Sequence, residues 1–226
     1  MKSLVLLSSG LDSAVNLYQA NKDTEVIGAL TVDYGQKAAV KELEYSANLC
    51  RKLNIRNIII QLPFFKDFTS TALVNRSEDI PSGESVQIHD QNQSEWSASR
   101  VWVPNRNGVF LNVAAAYAEG LGAKVVVVGY NLEEAQTFPD NTQEFLDQSN
   151  TAFAYSTQSK VTAMSYTTNL NKTEIVKRGL ELGLDLKDVW PCYETGAQPC
   201  GKCESCQRFV NALTENGISK DEVWTN

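Results

Sequence analysis

The first thirteen residues constrain the fold of this chain more than any other stretch. A short apolar run at residues 4–7 leads into a turn of small and polar residues, SSGLDS at 8–13, and then into a helical pattern. A turn between a buried strand and a helix N-terminus gathers backbone N–H groups around one point, and the helix dipole adds positive potential there. The sequence therefore predicts an anion site, most often a phosphate site, at residues 8–13.

Apolar runs alternate with helical patterns along the rest of the chain. The predicted strands are short and rich in Val, Ile or Leu, which is typical of parallel strands covered on both faces. They lie at 3–7, 26–32, 57–62, 125–129 and 161–164. The alternation predicts an α/β fold, a doubly wound and mostly parallel sheet that binds ligands at the carboxyl ends of its strands.

Three helices are predicted in detail. Residues 36–53 carry an apolar stripe of Val40, Leu43, Ala47, Cys50 and Leu53, with Lys41, Glu42 and Glu44 on the opposite side. We expect Cys50 to be a core residue. A second helix, 106–121, has Gly120 and Gly122 as stop signals. A third begins after Asn171, which we expect to be its N-cap, with Glu174 completing a capping box.

Composition narrows the class of protein. The formal net charge of −7 argues against a general binder of nucleic acid or of membrane surfaces, since both need a basic face. No apolar run approaches twenty residues, so no membrane span is predicted. We expect a cytoplasmic protein with a main domain at 1–190 and a small appendage at 191–226.

One polar stretch shows no hydrophobic periodicity of a helix or a strand. Residues 75–100 contain Pro81, Gly83 and many Ser, Gln, Asn and Asp residues, and we expect the segment 75–102 to be a lid, an interface segment or a disordered loop. It also holds His89, the single histidine of the chain. A histidine-based triad and a multi-histidine metal site are therefore excluded.

The cysteines point to a metal site. Cys192, Cys200, Cys203 and Cys206 form a C-x7-C-x2-C-x2-C pattern. Four thiolates complete a closed tetrahedral zinc site, which predicts a structural role for the ion in tying this loop and the helix after Cys206 to the main body. An iron–sulfur cluster is the alternative, because C-x2-C-x2-C also occurs in such proteins.

Taken together, these blocks resemble a known family, the 7-cyano-7-deazaguanine (preQ0) synthases, which are pyrophosphate-loop ATP-dependent ligases. The matching blocks are SSGLDS at 8–13, VDYGQ at 32–36, VPNRNG at 103–108, NKTE at 171–174, PCY at 191–193 and CGKCESC at 200–206. The resemblance implies an adenine nucleotide alpha hydrolase-like (HUP, Rossmann-like) fold, ATP and Mg²⁺, structural Zn²⁺ and a homodimer. One position departs from the family: Ser9 stands where a glycine is usual.

The resemblance also implies roles for individual residues. Phosphate oxygens would be bound by the loop Leu7, Ser8, Ser9, Gly10, Leu11, Asp12 and Ser13, and adenosine by Asp33. Residues implied to take part in catalysis are Asp12, Ser13, Arg106 and Lys172. Arg106 can pair with a carboxylate or a phosphate, and Lys172 can reach the phosphates of ATP.

A substrate loop is expected after the fourth strand. A deazaguanine presents a ring N–H and an exocyclic NH2 on one edge, and this pair of donors suits a carboxylate. Glu133, Glu134 or Asp140 could supply that carboxylate, and Tyr130 or Phe138 could stack on the base.

The implied reaction converts 7-carboxy-7-deazaguanine, ammonia and ATP into the nitrile, in 7-deazapurine biosynthesis of the queuosine and archaeosine type. No direct contact with nucleic acid or membrane is expected. Two other functions stay open. A relative of the synthases could transfer the activated acid to a different amine or macromolecular acceptor. Alternatively, a chain with an altered loop could bind nucleotide without turning it over.

Overall fold

The computed structural model describes residues 1–88 and 90–224, so His89 lies outside the described residues. Five strands form one parallel sheet: β1 Lys2–Leu6, β2 Glu25–Asp33, β3 Asn57–Gln61, β4 Val125–Val127 and β5 Thr162–Met164. Their order is β3-β2-β1-β4-β5. The chain reverses its direction of travel across the sheet between β1 and β4, which opens a crevice at the carboxyl ends of these two strands.

Helices cover both faces of this sheet. The α-helices are α1 Leu11–Asp23, α2 Ala39–Lys52, α3 Phe65–Phe68, α4 Gln91–Val101, α5 Arg106–Leu121, α6 Gln143–Ser156, α7 Lys172–Glu181, α8 Glu204–Glu215 and α9 Lys220–Val223. Among the described residues, no helix is both long enough and apolar enough to span a membrane.

Alternate strand residues face two separate cores. Leu4 and Val126 pack with α5 and α6, whereas Val5 and Val127 pack with α1, α7 and α8. All four side chains are completely buried, which explains why their strands are almost entirely apolar. The doubly wound parallel α/β fold predicted from the sequence is confirmed.

Several predicted helix ends are confirmed. The Asn171 side chain accepts a hydrogen bond from the Glu174 N–H, and the Glu174 side chain accepts one from the Asn171 N–H, which completes the capping box of α7. Gly122 ends α5 with a φ of +80°, whereas Gly120 lies inside the helix. Cys50 is buried in the core.

The predicted stripe of α2 is wrong in one part. Val40 is 66% exposed, and Glu42, which the pattern placed on the outer side, is partly buried and turns toward the interior. The helix begins at Ala39, three residues later than predicted, because residues before it form the turn after β2. A buried face predicted from hydrophobicity alone leaves out a polar residue that faces a cavity.

The segment 75–102 is expected to be a lid, an interface segment or a disordered loop, and its second half forms the helix α4. A disordered loop is therefore wrong for that half, whereas a lid or an interface segment stays a prediction. Asp90 caps this helix by accepting a hydrogen bond from the Gln93 N–H. The buried side of α4 consists of small or polar residues for the most part, namely Ser94, Ser97, Ala98 and Val101. Hydrogen bonds replace apolar contacts on that side, so no hydrophobic period marks the helix.

The cysteine segment packs against the main body. Cys192, Cys203 and Cys206 are buried in the same core as the sheet residues, and α8 packs against α7. Cys206 lies inside α8, which begins at Glu204, so the expectation of a helix starting after Cys206 is wrong by one turn. The division into domains at residue 190 stays a prediction.

Candidate functional site

The turn between β1 and α1 is closed by its two outer serines. Ser8 Oγ and Ser13 Oγ lie 3.2 Å apart, the Ser8 N–H donates to Ser13 Oγ at 3.2 Å, and Ser13 Oγ donates to the Gly10 carbonyl at 3.0 Å. The first N–H groups of α1 have no acceptor within the helix and carry the positive end of its dipole. The turn can therefore bind an anion.

Ser9 occupies a conformation that favours glycine. Its φ is +64°, its side chain is completely buried, and its hydroxyl has no hydrogen-bond partner within residues 1–88 and 90–224. Its carbonyl accepts a hydrogen bond from the Trp190 N–H at 3.0 Å. A left-handed backbone at this position gives a physical reason for the glycine that related loops carry here.

Gly129 lets the segment after β4 approach this turn. A β-carbon at Gly129 would lie 2.5 Å from the Ser13 nitrogen and 2.8 Å from the Asp12 carbonyl carbon. These are backbone atoms of the first turn of α1, which cannot move aside without displacing the helix. The loop that follows β4 therefore begins in direct contact with the first turn of α1.

A buried ion cluster joins three elements beside the turn. Lys172 Nζ, at the start of α7, lies 2.5 Å from Asp12 Oδ2 and 2.8 Å from Glu134 Oε1. Asn131 connects both acidic residues, because its amide donates to the Asp12 carboxylate at Oδ2, at 3.2 Å, and its Oδ1 accepts from the Glu134 backbone N–H at 2.9 Å. The cluster fixes a cation and two carboxylates at the first turn of α1.

Burial and pairing shift the protonation of this cluster. Burial raises the pKa of Asp12 to about 6, although Lys172 opposes the shift. Burial alone would lower the pKa of Lys172, but the carboxylates of Asp12 and Glu134 raise it above its ordinary value. Burial also opposes ionisation of Glu134, whereas the Lys172 ammonium lowers the pKa of Glu134 overall. Lys172 is thus held as a cation.

Arg106 stands at the first residue of α5. Its Nη1 donates to the Tyr34 hydroxyl at 3.2 Å, and its guanidinium lies 5.7 Å from the centre of the Tyr34 ring. Asn105, the N-cap, has a left-handed φ of +52°. A β-carbon at Gly108 would lie 2.1 Å from Asn105 Oδ1, so glycine at 108 makes room for the Asn105 side chain that precedes the arginine.

These groups line one cavity of about 230 Å³ at the carboxyl ends of the strands. The residues predicted to bind ATP or substrate or to act in catalysis that line it are Leu7, Ser8, Gly10, Leu11, Asp12, Ser13, Arg106, Tyr130, Glu134, Phe138, Asp140 and Lys172. The predicted metal ligand Cys192 lines it as well. The fold thus brings the turn, Arg106, Lys172 and the loop after β4 around the same space.

Three of the residues predicted to bind ATP or substrate are not among the described residues that line the cavity. Ser9 is buried behind the turn. Asp33 Oδ1 accepts a hydrogen bond from the Gly35 N–H at 3.0 Å and so shapes the turn after β2. Glu133 accepts from the Lys172 N–H at 2.7 Å and from Arg208 Nη1 at 2.8 Å.

The cavity also contains residues that the sequence analysis missed. Glu42 lines it and accepts a hydrogen bond from Gln36 Nε2 at 2.7 Å, and burial raises the pKa of Glu42 to about 7. Trp102 lines it as well, and its ring is parallel to that of Phe138 within 7°, with centroids 6.0 Å apart. An aromatic residue directly before the VPNRNG block could have indicated Trp102, whereas Glu42 carried no sequence signal.

The four cysteines of the C-terminal segment form a compact cluster. The sulfur atoms of Cys192, Cys200, Cys203 and Cys206 all lie within 4.8 Å of one another. Backbone N–H groups point at two of them: the Cys203 N–H donates to Cys200 Sγ, and the Cys200 N–H donates to Cys192 Sγ, each at 3.3 Å. Donors of this kind stabilise thiolates, so the cluster is able to bind a metal ion.

Comparison with known proteins identifies close relatives of this chain. Residues 2–217 match the family model described as "Queuosine biosynthesis protein QueC". A 7-cyano-7-deazaguanine synthase from Bdellovibrio bacteriovorus is 50% identical over 218 residues, which cover 96% of this chain and 94% of that protein. A 7-cyano-7-deazaguanine synthase from Pelotomaculum thermopropionicum is 48% identical, with 96% of this chain and 99% of that protein covered.

A solved structure shares the fold at low sequence identity. It is a predicted subunit of a tRNA methyltransferase from Methanocaldococcus jannaschii, with a TM-score of 0.50 and 12% identity. The match covers 100% of this chain and 92% of that one. At this identity the likeness concerns the arrangement of strands and helices alone.

Proposed function

This chain belongs to the family of the queuosine biosynthesis protein QueC, and from that membership we propose that it converts 7-carboxy-7-deazaguanine, ammonia and ATP into 7-cyano-7-deazaguanine. The observation that carries the proposal is the shared cavity. One space of about 230 Å³ is lined by the β1–α1 turn, by Lys172 and by Arg106. Anion-binding groups thus surround a space next to the loop expected to hold the base.

The reaction needs activation of a carboxylate twice. A carboxylate oxygen attacks the α-phosphorus of ATP, pyrophosphate leaves, and an acyl adenylate forms. Ammonia then displaces AMP and loses a proton to give the amide. The amide oxygen attacks the α-phosphorus of a second ATP, and a second pyrophosphate leaves. Loss of AMP and of the two remaining N–H protons then gives the nitrile. Each AMP carries away one oxygen of the original carboxylate, so neither an oxidant nor a reductant is needed.

Such a reaction depends on positioning and charge stabilisation rather than on a protein nucleophile. The N–H groups of the turn at 8–13 are placed to bind phosphate oxygens, and the hydroxyls of Ser8 and Ser13 can add donors. Lys172 supplies a buried cation at the same turn. Arg106, across the cavity, is suited to bind the carboxylate of the substrate or a phosphate.

Asp12 is suited to hold Mg²⁺. Its Oδ2 is engaged by Lys172, whereas its buried Oδ1 has no hydrogen-bond partner in the described part of the chain. A carboxylate oxygen left over in this way is a ligand that Mg²⁺ accepts, and the ion would neutralise charge on the polyphosphate. This fit supports ATP bound with Mg²⁺ at the turn.

Asp140 is the best candidate to read the base. Glu133 and Glu134 each pair with a cation, Arg208 or Lys172, so their charges are already used. The Asp140 carboxylate lines the cavity and accepts a neutral amide donor, Asn141 Nδ2, at 3.2 Å. Phe138 and Tyr130 line the same cavity, and their ring faces are suited to stack on the base. Asp33 remains a predicted contact of adenosine.

The cysteine cluster fits a structural zinc ion. Four thiol groups are the full ligand set of a closed tetrahedral site, and three of them are buried. Zinc there would hold the segment 191–206 against the core without taking part in the reaction. An iron–sulfur cluster would give visible absorption, so metal analysis and an absorption spectrum of the purified protein decide between the two.

Family membership also supports a homodimer and a cytoplasmic location, and the net charge of −7 supports function without direct nucleic-acid binding. Light scattering coupled to gel filtration tests the first of these. Cell fractionation and a nucleic-acid binding assay test the other two.

The experiment that tests the proposed function is mass spectrometry of a reaction with protein, ATP, Mg²⁺, ammonium and 7-carboxy-7-deazaguanine. The expected result is the nitrile, with two AMP formed per nitrile. Accumulation of the amide or of the adenylate would instead favour a relative that uses a different acceptor. If folded, metal-loaded protein formed no product and turned over no nucleotide, it would be a binding module.

A further inference from the structure

Arg208 is a buried cation that lies between the cysteine segment and the loop after β4. It belongs to α8, two residues after Cys206, and its side chain is 12% exposed. Its Nη1 lies 2.8 Å from Glu133 Oε2, and its Nη2 lies 2.8 Å from Glu204 Oε1. One guanidinium therefore joins two carboxylates that belong to different elements.

The Glu133 carboxylate connects this cation to the ion cluster at the turn. Its second oxygen, Oε1, accepts a hydrogen bond from the Lys172 backbone N–H at 2.7 Å. Lys172 is the first residue of α7, so this bond holds the N-terminus of the helix whose side chain reaches Asp12. Charged partners make such hydrogen bonds stronger than neutral ones.

The other end of the connection is equally fixed. Glu204 directly follows Cys203 and is 7% exposed, and its Oε2 accepts a hydrogen bond from Ser97 Oγ of α4 at 2.6 Å. Arg208 Nη2 also donates to Ser94 Oγ of α4 at 3.2 Å. The cysteine segment and α4 thus hold the guanidinium from two sides, so its position is set by packing rather than by solvent.

Neither Arg208 nor Glu133 is among the described residues that line the cavity. They do not contact the space where the substrates are proposed to bind, yet they hold the backbone of Lys172, which does line it. Glu133 is followed directly by Glu134, whose carboxylate pairs with Lys172 Nζ at 2.8 Å. A shift of Glu133 would therefore move both the lysine and its partner.

We propose that Arg208 and Glu133 are positioning residues that transmit the placement of the cysteine segment to Lys172. This inference rests on the proposed function, because it assigns Lys172 a part in the reaction. The cysteine segment then does more than pack against the core: through Arg208 and Glu133 it sets the location of Lys172. Through Glu204, α4 contributes to the same placement.

The test uses the whole metal-loaded protein in the nitrile assay, with Arg208→Gln, Glu133→Gln and the double variant. Arg178→Gln is the matched control, because Arg178 forms an exposed ion pair with Glu181 on α7. Glu133→Gln keeps an oxygen that can accept the Lys172 N–H but removes the charge that Arg208 binds. Metal content and thermal unfolding are measured for every variant.

Each single substitution is expected to lower kcat by on the order of ten- to hundredfold, because small displacements of a catalytic group have effects of this size. The KM values for ATP and for the carboxylate substrate should change less than about twofold, since no binding contact is removed. The kcat of the double variant should be no lower than that of the more impaired single variant, because both residues act as one unit. Arg208→Lys should recover part of kcat, and Arg178→Gln should match the parent protein.

Three results would overturn the inference while leaving the proposed function intact. One is an unchanged kcat for Glu133→Gln, which overturns the inference even if Arg208→Gln does not fold. Another is a double variant whose losses multiply. A third is a raised KM for the carboxylate substrate in Glu133→Gln alone, which would mean that Glu133 contacts the base. Failure of the parent protein to form the nitrile would overturn the proposed function itself.

Discussion

Lys172 Nζ lies 2.5 Å from Asp12 Oδ2, although 160 positions separate the two residues in sequence. The contact joins the N-termini of α7 and α1, so both helices direct the positive ends of their dipoles to one place. A buried ammonium and two helix N-termini create a region of positive potential. The two carboxylates beside it keep the site from holding an uncompensated charge in the absence of a ligand.

Lys172→Gln is expected to lower kcat/KM by at least about hundredfold, because a preorganised cation next to the reacting phosphate is lost. Lys177→Gln is the matched control, since Lys177 lies on the same helix and is exposed. Steady-state AMP formation measures both variants. A loss of less than about threefold in folded Lys172→Gln would show that the lysine has only a structural part.

Ser9→Gly is expected to stabilise the protein by about 1–4 kcal/mol. A left-handed backbone costs roughly 1–2 kcal/mol for a residue with a β-carbon, and a buried hydroxyl without a partner costs about 1–3 kcal/mol. The flexibility of glycine in the unfolded chain offsets about 0.5–1 kcal/mol of that gain. Urea unfolding measures the change.

Ser9→Ala separates the two contributions, because it removes the hydroxyl but keeps the backbone strain at a φ of +64°. Its gain should be smaller than that of Ser9→Gly. Equal gains would mean that backbone strain does not contribute. Both variants should keep the proposed activity, since the Ser9 side chain is completely buried.

Glu42→Gln is expected to stabilise the protein at neutral and higher pH but not in acid. Burial raises the pKa of Glu42 from 4.5 to about 7, so the folded state binds a proton more tightly than the unfolded state. Stability of the parent protein therefore falls as pH rises from about 4.5 to 7. At about 1.36 kcal/mol per pKa unit, the unfavourable free energy that Glu42→Gln removes above pH 7 is at most about 3 kcal/mol.

Urea unfolding of Glu42→Gln and of the parent protein at a series of pH values from about 4.5 to 8 measures this difference. Glu44→Gln is the control, because Glu44 lies on the same helix with a side chain that is 59% exposed. The advantage of Glu42→Gln should grow with pH through this range. An advantage independent of pH would show that the charge of Glu42 is not its source.

Gly129→Ala is expected to destabilise the protein by about 2–4 kcal/mol and to abolish most activity. The new β-carbon would meet the Ser13 nitrogen at 2.5 Å, which forces the loop and the first turn of α1 apart. Gly120→Ala is the control, since a β-carbon there meets no atom within 4 Å among the described residues. The control should be neutral or slightly stabilising, because alanine favours a helix interior. Thermal unfolding and the nitrile assay measure both.

Removal of the proposed zinc ion is expected to lower the unfolding midpoint by roughly 10 °C or more, because binding energy at a four-thiolate site contributes directly to folding. Chelator treatment followed by calorimetry measures the change, and added zinc should reverse it. Cys200→Ser should lose the metal, whereas Cys50→Ala, remote from the cluster, should retain it. A chelator-treated protein with an unchanged midpoint would argue against a structural ion.

Features encoded by neighbouring residues could be predicted. The strands, the turn at 8–13, the capping box of α7 and the four cysteines each depend on spacing within a short stretch, and the fold bears out the strands and the capping box. The stripe of α2 could not be predicted correctly, because Glu42 faces a cavity that other elements enclose. The helix α4 was missed because Ser94 and Ser97 make hydrogen bonds to Glu204 instead of apolar contacts.

The sequence by itself determined the five strands and the capping box of α7, because local spacing and backbone chemistry are enough to specify them. For the same reason it predicts an anion site in the turn at 8–13 and a metal site at the four cysteines. Only the tertiary structure decided which distant groups meet. Lys172 reaches Asp12 because α7 packs against α1, and Arg208 reaches Glu133 because α8 packs on α7, whose first N–H binds Glu133. Contacts of that kind follow from how layers pack, and no pattern within a single segment encodes them.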